Sequence, residues 1–277
     1  MSSILSAPQC ACELRSAARA WAVETDPRTK AEGVIALARG WRAGDVLLDQ
    51  TQQFSQEDFV PGRPSRPELI SPKLLKHRSM RTVEGRSALI HALTHIEFNA
   101  INLALDAIWR FAGMPQDYYL DWLQVAAEEA LHFSLLAQHL QTLGYCYGEF
   151  PAHNSLWEMA EKTRGDILAR MALVPRTLEA RGLDASPLMR AKLTQAGDQA
   201  AADILDTILR DEIGHVAIGN RWYNFLCEQR ALDPVLAYDE LAARYKAPAP
   251  RGPFNLEARR AAGFNEAELA ALQKDRF

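Results

Sequence analysis

Glu128-Glu129-Ala130-Leu131-His132 and Asp211-Glu212-Ile213-Gly214-His215 are nearly one pattern written twice. Each is a Glu-x-x-His preceded by a second carboxylate. Residues three apart on a helix share a face, so each motif aims a carboxylate and an imidazole at one point. Two such helices facing each other supply two oxygen and two nitrogen ligands. A four-helix bundle completes a two-metal site with one Glu from each remaining helix.

Projection at about 100° per residue puts both motifs on apolar stripes. Glu129 shares its face with Trp122, Val125, Phe133, Leu136 and Leu140, and Glu212 with Leu205, Ile208, Val216, Gly219 and Tyr223. An ionised carboxylate buried without a partner is costly, and an adjacent imidazole offsets only part of that cost. Two such placements call for a cation.

Each of the other two helices should add one carboxylate. Glu97 is the odd polar residue among Ile90, Leu93, Ile101, Ala104 and Ile108, and Glu179 shares a face with Leu168, Ala172 and Pro175. Glu158, Glu161 and Asp166 fit less well. Glu97 precedes Glu129 by 32 residues and Glu179 precedes Glu212 by 33, with turns at Gly113 and Gly197-Asp198 near the midpoints. Each hairpin leg is then about 25 Å long, which sets the residues level. The expected metal ligands are Glu97, Glu129, His132, Glu179, Glu212 and His215. Glu179 rests on position alone; the competing reading is an exposed acid near a helix end.

Glu128, Asp211 and Tyr223 are candidates for an outer layer. The two acids, one turn before the histidines, would accept from the imidazole N–H groups of their own or a facing helix. Solvent-facing acids are the equal alternative. Tyr223 lies two to three turns beyond His215, where a packed core tyrosine is a better reading than a redox-active phenol. His91 and His95, four apart, project away from Glu97 and read as surface or interface residues.

The rest of the chain is helical in pattern. Residues 1–81 read as an N-terminal helical extension, with helices over 13–24 and 27–41, followed by an extended Pro-rich segment around Pro61-Gly62-Arg63-Pro64-Ser65-Arg66-Pro67 that wraps the main domain. Residues 82–230 hold the bundle, with helices over 83–111, 115–143, 154–181 and 198–230. The third is broken at Gly182 to Pro187 and resumes to Ala196. Residues 231–277 form a C-terminal helical tail packing on the bundle. No stretch argues for a strand, so the expected fold is all-α.

Composition sets outer limits. The 277 residues are 48% hydrophobic and 24% charged, with a formal net charge of -4, so no global field draws the chain to nucleic acid or anionic lipid. No apolar run spans a bilayer and the N-terminus lacks signal-peptide character, which gives a cytoplasmic expectation. The four cysteines do not form a secreted disulfide framework, and Cys10-Ala11-Cys12 reads as two ordinary thiols rather than a soft-metal site. Lys73, Lys76, His77, Arg78, Arg81 and Arg86 make a basic stretch without interleaved aromatics, a solvated loop rather than a nucleic-acid interface.

The six ligands resemble the set of the ferritin-like dimetal carboxylate superfamily. Val174-Pro175-Arg176-x-Leu178-Glu179-Ala180-Arg181-Gly182-Leu183-Asp184, Arg210-Asp211-Glu212-x-Gly214-His215-Val216-Ala217-Ile218-Gly219, Phe150-Pro151-Ala152-His153, the Pro-rich segment and Pro253-Phe254-Asn255 resemble a bacterial ferritin-like family of unknown function, family 455. The resemblance covers nearly the whole chain and implies a ferritin-like four-helix bundle with no assigned substrate.

Four carboxylates and two imidazoles suit two iron ions, or manganese with iron, about 3.5–4 Å apart. The leading expectation is an oxygen-dependent oxidoreductase with molecular oxygen as co-substrate, which hydroxylates, desaturates or otherwise oxidises a small or tethered substrate. Trp122, Phe133, Leu205 and Ile208 would exclude water, and the break in the third helix would open a substrate channel. The alternatives are a ferroxidase or metal-storage protein, a metal-binding protein without turnover, and a tRNA-modifying di-iron hydroxylase. The electron donor is unspecified, no membrane partner is expected, and a homodimer is compatible with the sequence.

Overall fold

Local caps and turns fix where the long helices begin and end. Thr82 accepts from the Gly85 N–H at 3.1 Å and opens α3 (Val83–Arg110). Gly113, at φ +78°, turns the chain into α4 (Gln116–Thr142), which stops before Gly144 at φ +83°. Asp198 accepts from the Ala201 N–H at 3.1 Å to start α8 (Gln199–Gln229), and lies 2.9 Å from His139 near the end of α4. The structure is a computed structural model that describes residues 12–55, 59–76 and 78–274. Cys10 and His77 lie outside the described residues.

The third long segment departs from expectation. After α5 (Ser155–Lys162) the chain breaks at residues 163–166, then runs helically from α6 (Ile167–Leu173) through a π-helical stretch, Val174–Glu179, into α7 (Ala180–Gln195). The expected break at Gly182 to Pro187 is absent: those residues lie inside α7. Pro187 lacks the N–H that would bond the Leu183 carbonyl, but the Asn255 side-chain amide donates to that oxygen at 3.2 Å. A tertiary contact from the C-terminal segment thus supplies the missing donor. The wider turn instead falls at Pro175, where a helix must accommodate the ring and the lost N–H. Thr177 Oγ1 donates to the Ala172 carbonyl at 2.7 Å within this stretch.

The four segments pack as two hairpins. The α3 helix lies against α4, α7 against α8, and α4 and α6 both meet α8. At Gly219 in α8 an added Cβ would sit 2.5 Å from the Pro175 Cβ, so only glycine permits this approach of α8 to the π-helical stretch. Asp106 of α3 is buried between Arg110, at 2.6 Å, and Arg170 of α6. Arg170 also donates to Thr163 Oγ1 at 3.0 Å and the Ala160 carbonyl at 2.6 Å, so each of its three nitrogens has a partner and the buried charge is paired.

Outside the hairpins, α1 (Leu14–Ala22) packs on α3 and α2 (Pro27–Ala43) on α4. Two-residue strands β1 (Cys12–Glu13) and β2 (Val46–Leu47) pair in parallel, a short exception to the strand-free expectation. The Pro-rich segment is extended and lies against the helices. Gly62 N–H donates to the Ala22 carbonyl at 2.8 Å, and Ile70 N–H donates to the Ala152 carbonyl at 2.8 Å. Helices α9 (Pro234–Arg244), α10 (Leu256–Ala261) and α11 (Glu266–Lys274) complete the chain, and α8 meets both α9 and α10. The fold is all-α. Among the described residues no helix is long and apolar enough to cross a membrane.

Candidate metal centre

Where the two hairpins meet, acidic and imidazole groups converge in the interior. Glu97 from α3, Glu129 and His132 from α4 and Glu212 from α8 are buried, with ligand atoms all within 4.8 Å of one another. His215 of α8, fully buried, completes the cluster: its Nδ1 lies 3.0 Å from Glu129 Oε1 and 3.7 Å from Glu212 Oε2. His132 Nδ1 lies 3.4 Å from Glu129 Oε2 and 3.7 Å from Glu97 Oε2. Glu129 therefore stands between both imidazoles, one oxygen toward each.

The outward nitrogens are held across the helix pair. His132 Nε2 is 3.1 Å from Asp211 of α8, and His215 Nε2 is 2.8 Å from Glu128 of α4. Each acid before one Glu-x-x-His thus bonds the histidine of the other. With Nε2 donating outward, Nδ1 of each ring faces inward, where loss of its proton would present a lone pair to a metal.

Glu179 sits where the π-helical stretch passes into α7, outside the group of four within 4.8 Å. Its Oε2 is nevertheless buried, and the charges of Glu212 and Glu129 act on it. Projection at a uniform helical period across Pro175 placed it on the correct side only approximately, because the π turn changes the repeat.

The inward atoms share one property. Glu97 Oε2, both oxygens of Glu129, His132 Nδ1, Glu179 Oε2, Glu212 Oε2 and His215 Nδ1 are all buried without a hydrogen-bond partner. Buried polar atoms are nearly always paired, and seven of the thirteen unpaired ones among the described residues converge on this one place. Burial, with Glu129 nearby, pushes the carboxyl of Glu97 well above the usual range; burial with Glu212 and Glu129 does the same to Glu179. Glu212 is raised by burial and by Glu129. Burial opposes the charge of Glu129 too, yet His215 and His132 outweigh it and hold its carboxyl low. Burial would lower His132, but Glu129 and Glu97 overcome this and raise it to about 11. Such a set gains from a multivalent cation that satisfies several carboxylates at once. The oxygen and nitrogen donors fit iron or manganese.

A cavity of about 440 Å³ adjoins the cluster, with Glu97, Glu179 and Glu212 in its wall. Leu205 and Ile208 line it as well, while Trp122 and Phe133 are buried in the surrounding core. The opening runs beside α7 without the helix break expected from the sequence.

Tyr223 lies apart from the metal cluster, in the core, and the surface reading of His91 and His95 is corrected. Tyr223 donates its hydroxyl to the Pro234 carbonyl at 2.6 Å and packs under Arg176, whose guanidinium carbon is 4.9 Å from the ring centroid. It is a core tyrosine joined to the first residue of α9, with no bond to the cluster. His91 and His95 are buried, not superficial. Gly148 N–H donates to His91 Nε2 at 2.8 Å, and His95 bonds Tyr147 at 2.8 Å and the His153 carbonyl at 3.1 Å. The 140s loop folds over the face they occupy, which helical projection alone does not reveal. Arg176 enters the sequence reading only within the resemblance, with no role of its own. It donates to Asn220 at 2.6 Å and pairs with Glu268 of α11. An arginine and an asparagine on otherwise apolar faces were the available signal.

Comparison with known proteins places this arrangement in a family. Residues 23–270 match the family described as "Protein of unknown function (DUF455)". An uncharacterised protein of Haemophilus influenzae is 50% identical over 240 residues, covering 81% of this chain and 83% of that protein. No solved structure matches the chain. With a match that spans both Glu-x-x-His helices and the segments carrying Glu97 and Glu179, the chain belongs to the DUF455 family.

Proposed function

We propose that this chain is a ferritin-like dimetal protein and an oxygen-dependent oxidoreductase. Two iron ions, or manganese with iron, would be held by Glu97, Glu129, His132, Glu179, Glu212 and His215. The observation that carries this reading is the convergence of unpaired buried carboxylate and Nδ1 atoms from facing helices. Glu128 and Asp211 support it by fixing the imidazoles from behind. When bound, the metal pair supplies redox chemistry directed at molecular oxygen. The chain's own residues hold the ions, turn each imidazole inward and keep water from the site with an apolar surround.

The adjoining cavity favours turnover over storage, because it gives an organic molecule access to the three glutamates in its wall. Oxygen-electrode measurements on the iron-loaded, reduced protein test the enzyme reading. Repeated oxygen consumption with a chemical reductant and an oxidisable aliphatic compound is expected, with the compound recovered in oxidised form. Oxygen consumption that ends in continued iron accumulation, with no organic product, would contradict it and favour storage.

A further inference from the structure

We propose that the cavity beside Glu97, Glu179 and Glu212 binds an amphipathic aliphatic carboxylate, its chain toward the glutamates and its acid group at Arg181 and Arg251. The inference rests on the proposed metal centre only in taking the buried end of the cavity as the reacting end.

The walls select for hydrocarbon. Leu93, Ala100, Leu156, Leu205, Ile208 and Met189 line a space of about 440 Å³, within the range of small-molecule pockets. An alkyl chain there leaves water without demanding hydrogen bonds from these side chains.

The mouth has the opposite character. Arg181 and Arg251 line the cavity, are exposed, and make no ion pair among the described residues. The acid beside them, Asp184, is already taken: Arg259 of α10 holds it through bonds of 2.9 and 2.6 Å. The rim therefore presents positive charge left over after internal pairing. Guanidinium groups match a carboxylate in shape as well as in charge. The orientation follows, because the hydrocarbon walls of the inner part offer an anionic head no hydrogen-bond donor while the exposed arginines attract one. Arg251 belongs to the segment after α9, so the C-terminal tail that braces α7 through Asn255 and Arg259 also supplies one of the two head-group contacts.

The test is calorimetric titration of the full-length protein, metal-loaded and metal-free, with hexanoate, octanoate and decanoate below their micellar concentrations. Metal content is measured in parallel. Affinity should rise about fourfold per added methylene until the cavity is filled. Methyl decanoate should bind at least tenfold more weakly than decanoate, and the Arg181→Ala/Arg251→Ala variant should lose that discrimination. Ala185→Trp should block binding while metal content stays unchanged; Ala185 lines the cavity and is partly exposed, so the larger ring need not enter the core. Absence of binding, or affinity independent of chain length, in protein of full metal content would overturn the inference and leave the metal centre standing. Equal affinity for ester and acid would overturn it as well. Decanoate binding with the expected discrimination, in protein that takes up no metal, would support the cavity assignment and instead overturn the dimetal reading.

Discussion

Single residues decide how firmly the cluster is set. His132 and His215 each have one ring nitrogen facing inward and one tied to a carboxylate on the facing helix. Glu128→Ala and Asp211→Ala should each weaken metal affinity by roughly 10–100-fold while the helices persist. Competition with a chromophoric chelator measures this, and unchanged affinity in both variants would show that the imidazoles need no such support. The Glu-x-x-His pairs were legible because their spacing matches a helical face. Which acid serves which histidine was not, because that choice depends on how α4 and α8 lie against each other. His91 illustrates the same limit. Its burial holds its pKa down to about 4, below the 6.5 of a free imidazole. An unfolded chain then binds a proton that the folded one refuses between those values. The stability contribution is present above pH 6.5 and is lost as pH falls toward 4, by on the order of 3 kcal/mol. His91→Gln keeps an acceptor for Gly148, so urea titrations from pH 7 to 4 should show a shallower loss of stability than in the parent. An unaltered slope would place the acid sensitivity elsewhere.

At the scale of elements, the third long segment separates what sequence patterns carry from what packing adds. Helices α3, α4 and α8 were readable from caps, terminal glycines and apolar periodicity, and their ends fall within a residue or two of expectation. Gly182 to Pro187 looked like a break because local propensity knows nothing of Asn255, which satisfies the carbonyl that Pro187 leaves free. The expanded turn at Pro175 depends likewise on Gly219, the point of closest approach from α8. Gly219→Ala should cost about 1–3 kcal/mol, read from the midpoint of urea unfolding at constant m-value. A neutral effect would mean that α8 and the π-helical stretch are not in such close contact. Asn255→Ala should destabilise the protein by about 1–3 kcal/mol, since it exposes a buried carbonyl to the loss of its donor. If unfolding were unaffected, Pro187 would need another explanation.

In the whole molecule, two helical hairpins meet around four glutamates that two histidines balance only in part. The buried Asp106–Arg110–Arg170 cluster is the instructive contrast, because its charges are satisfied within the chain. The inward glutamate oxygens and Nδ1 atoms, though several are close enough for ion pairs, make no hydrogen bond. A metal bound only by the folded state should therefore raise stability, by about 4 kcal/mol when its free concentration is a thousand times its dissociation constant. The all-α class and the convergence of Glu97, Glu129, His132, Glu212 and His215 were legible because they follow from helix geometry and equal hairpin legs. The cavity and the bracing by the C-terminal segment were not, because they arise between elements distant in sequence. The most direct measurement is elemental analysis of the protein reloaded with iron or manganese, alongside Glu129→Ala/Glu212→Ala with helicity checked by circular dichroism. About two metal ions per chain are expected in the parent, and a near-complete loss in the equally helical variant. Metal content that is negligible in the parent, or the same in both, would contradict the dimetal centre.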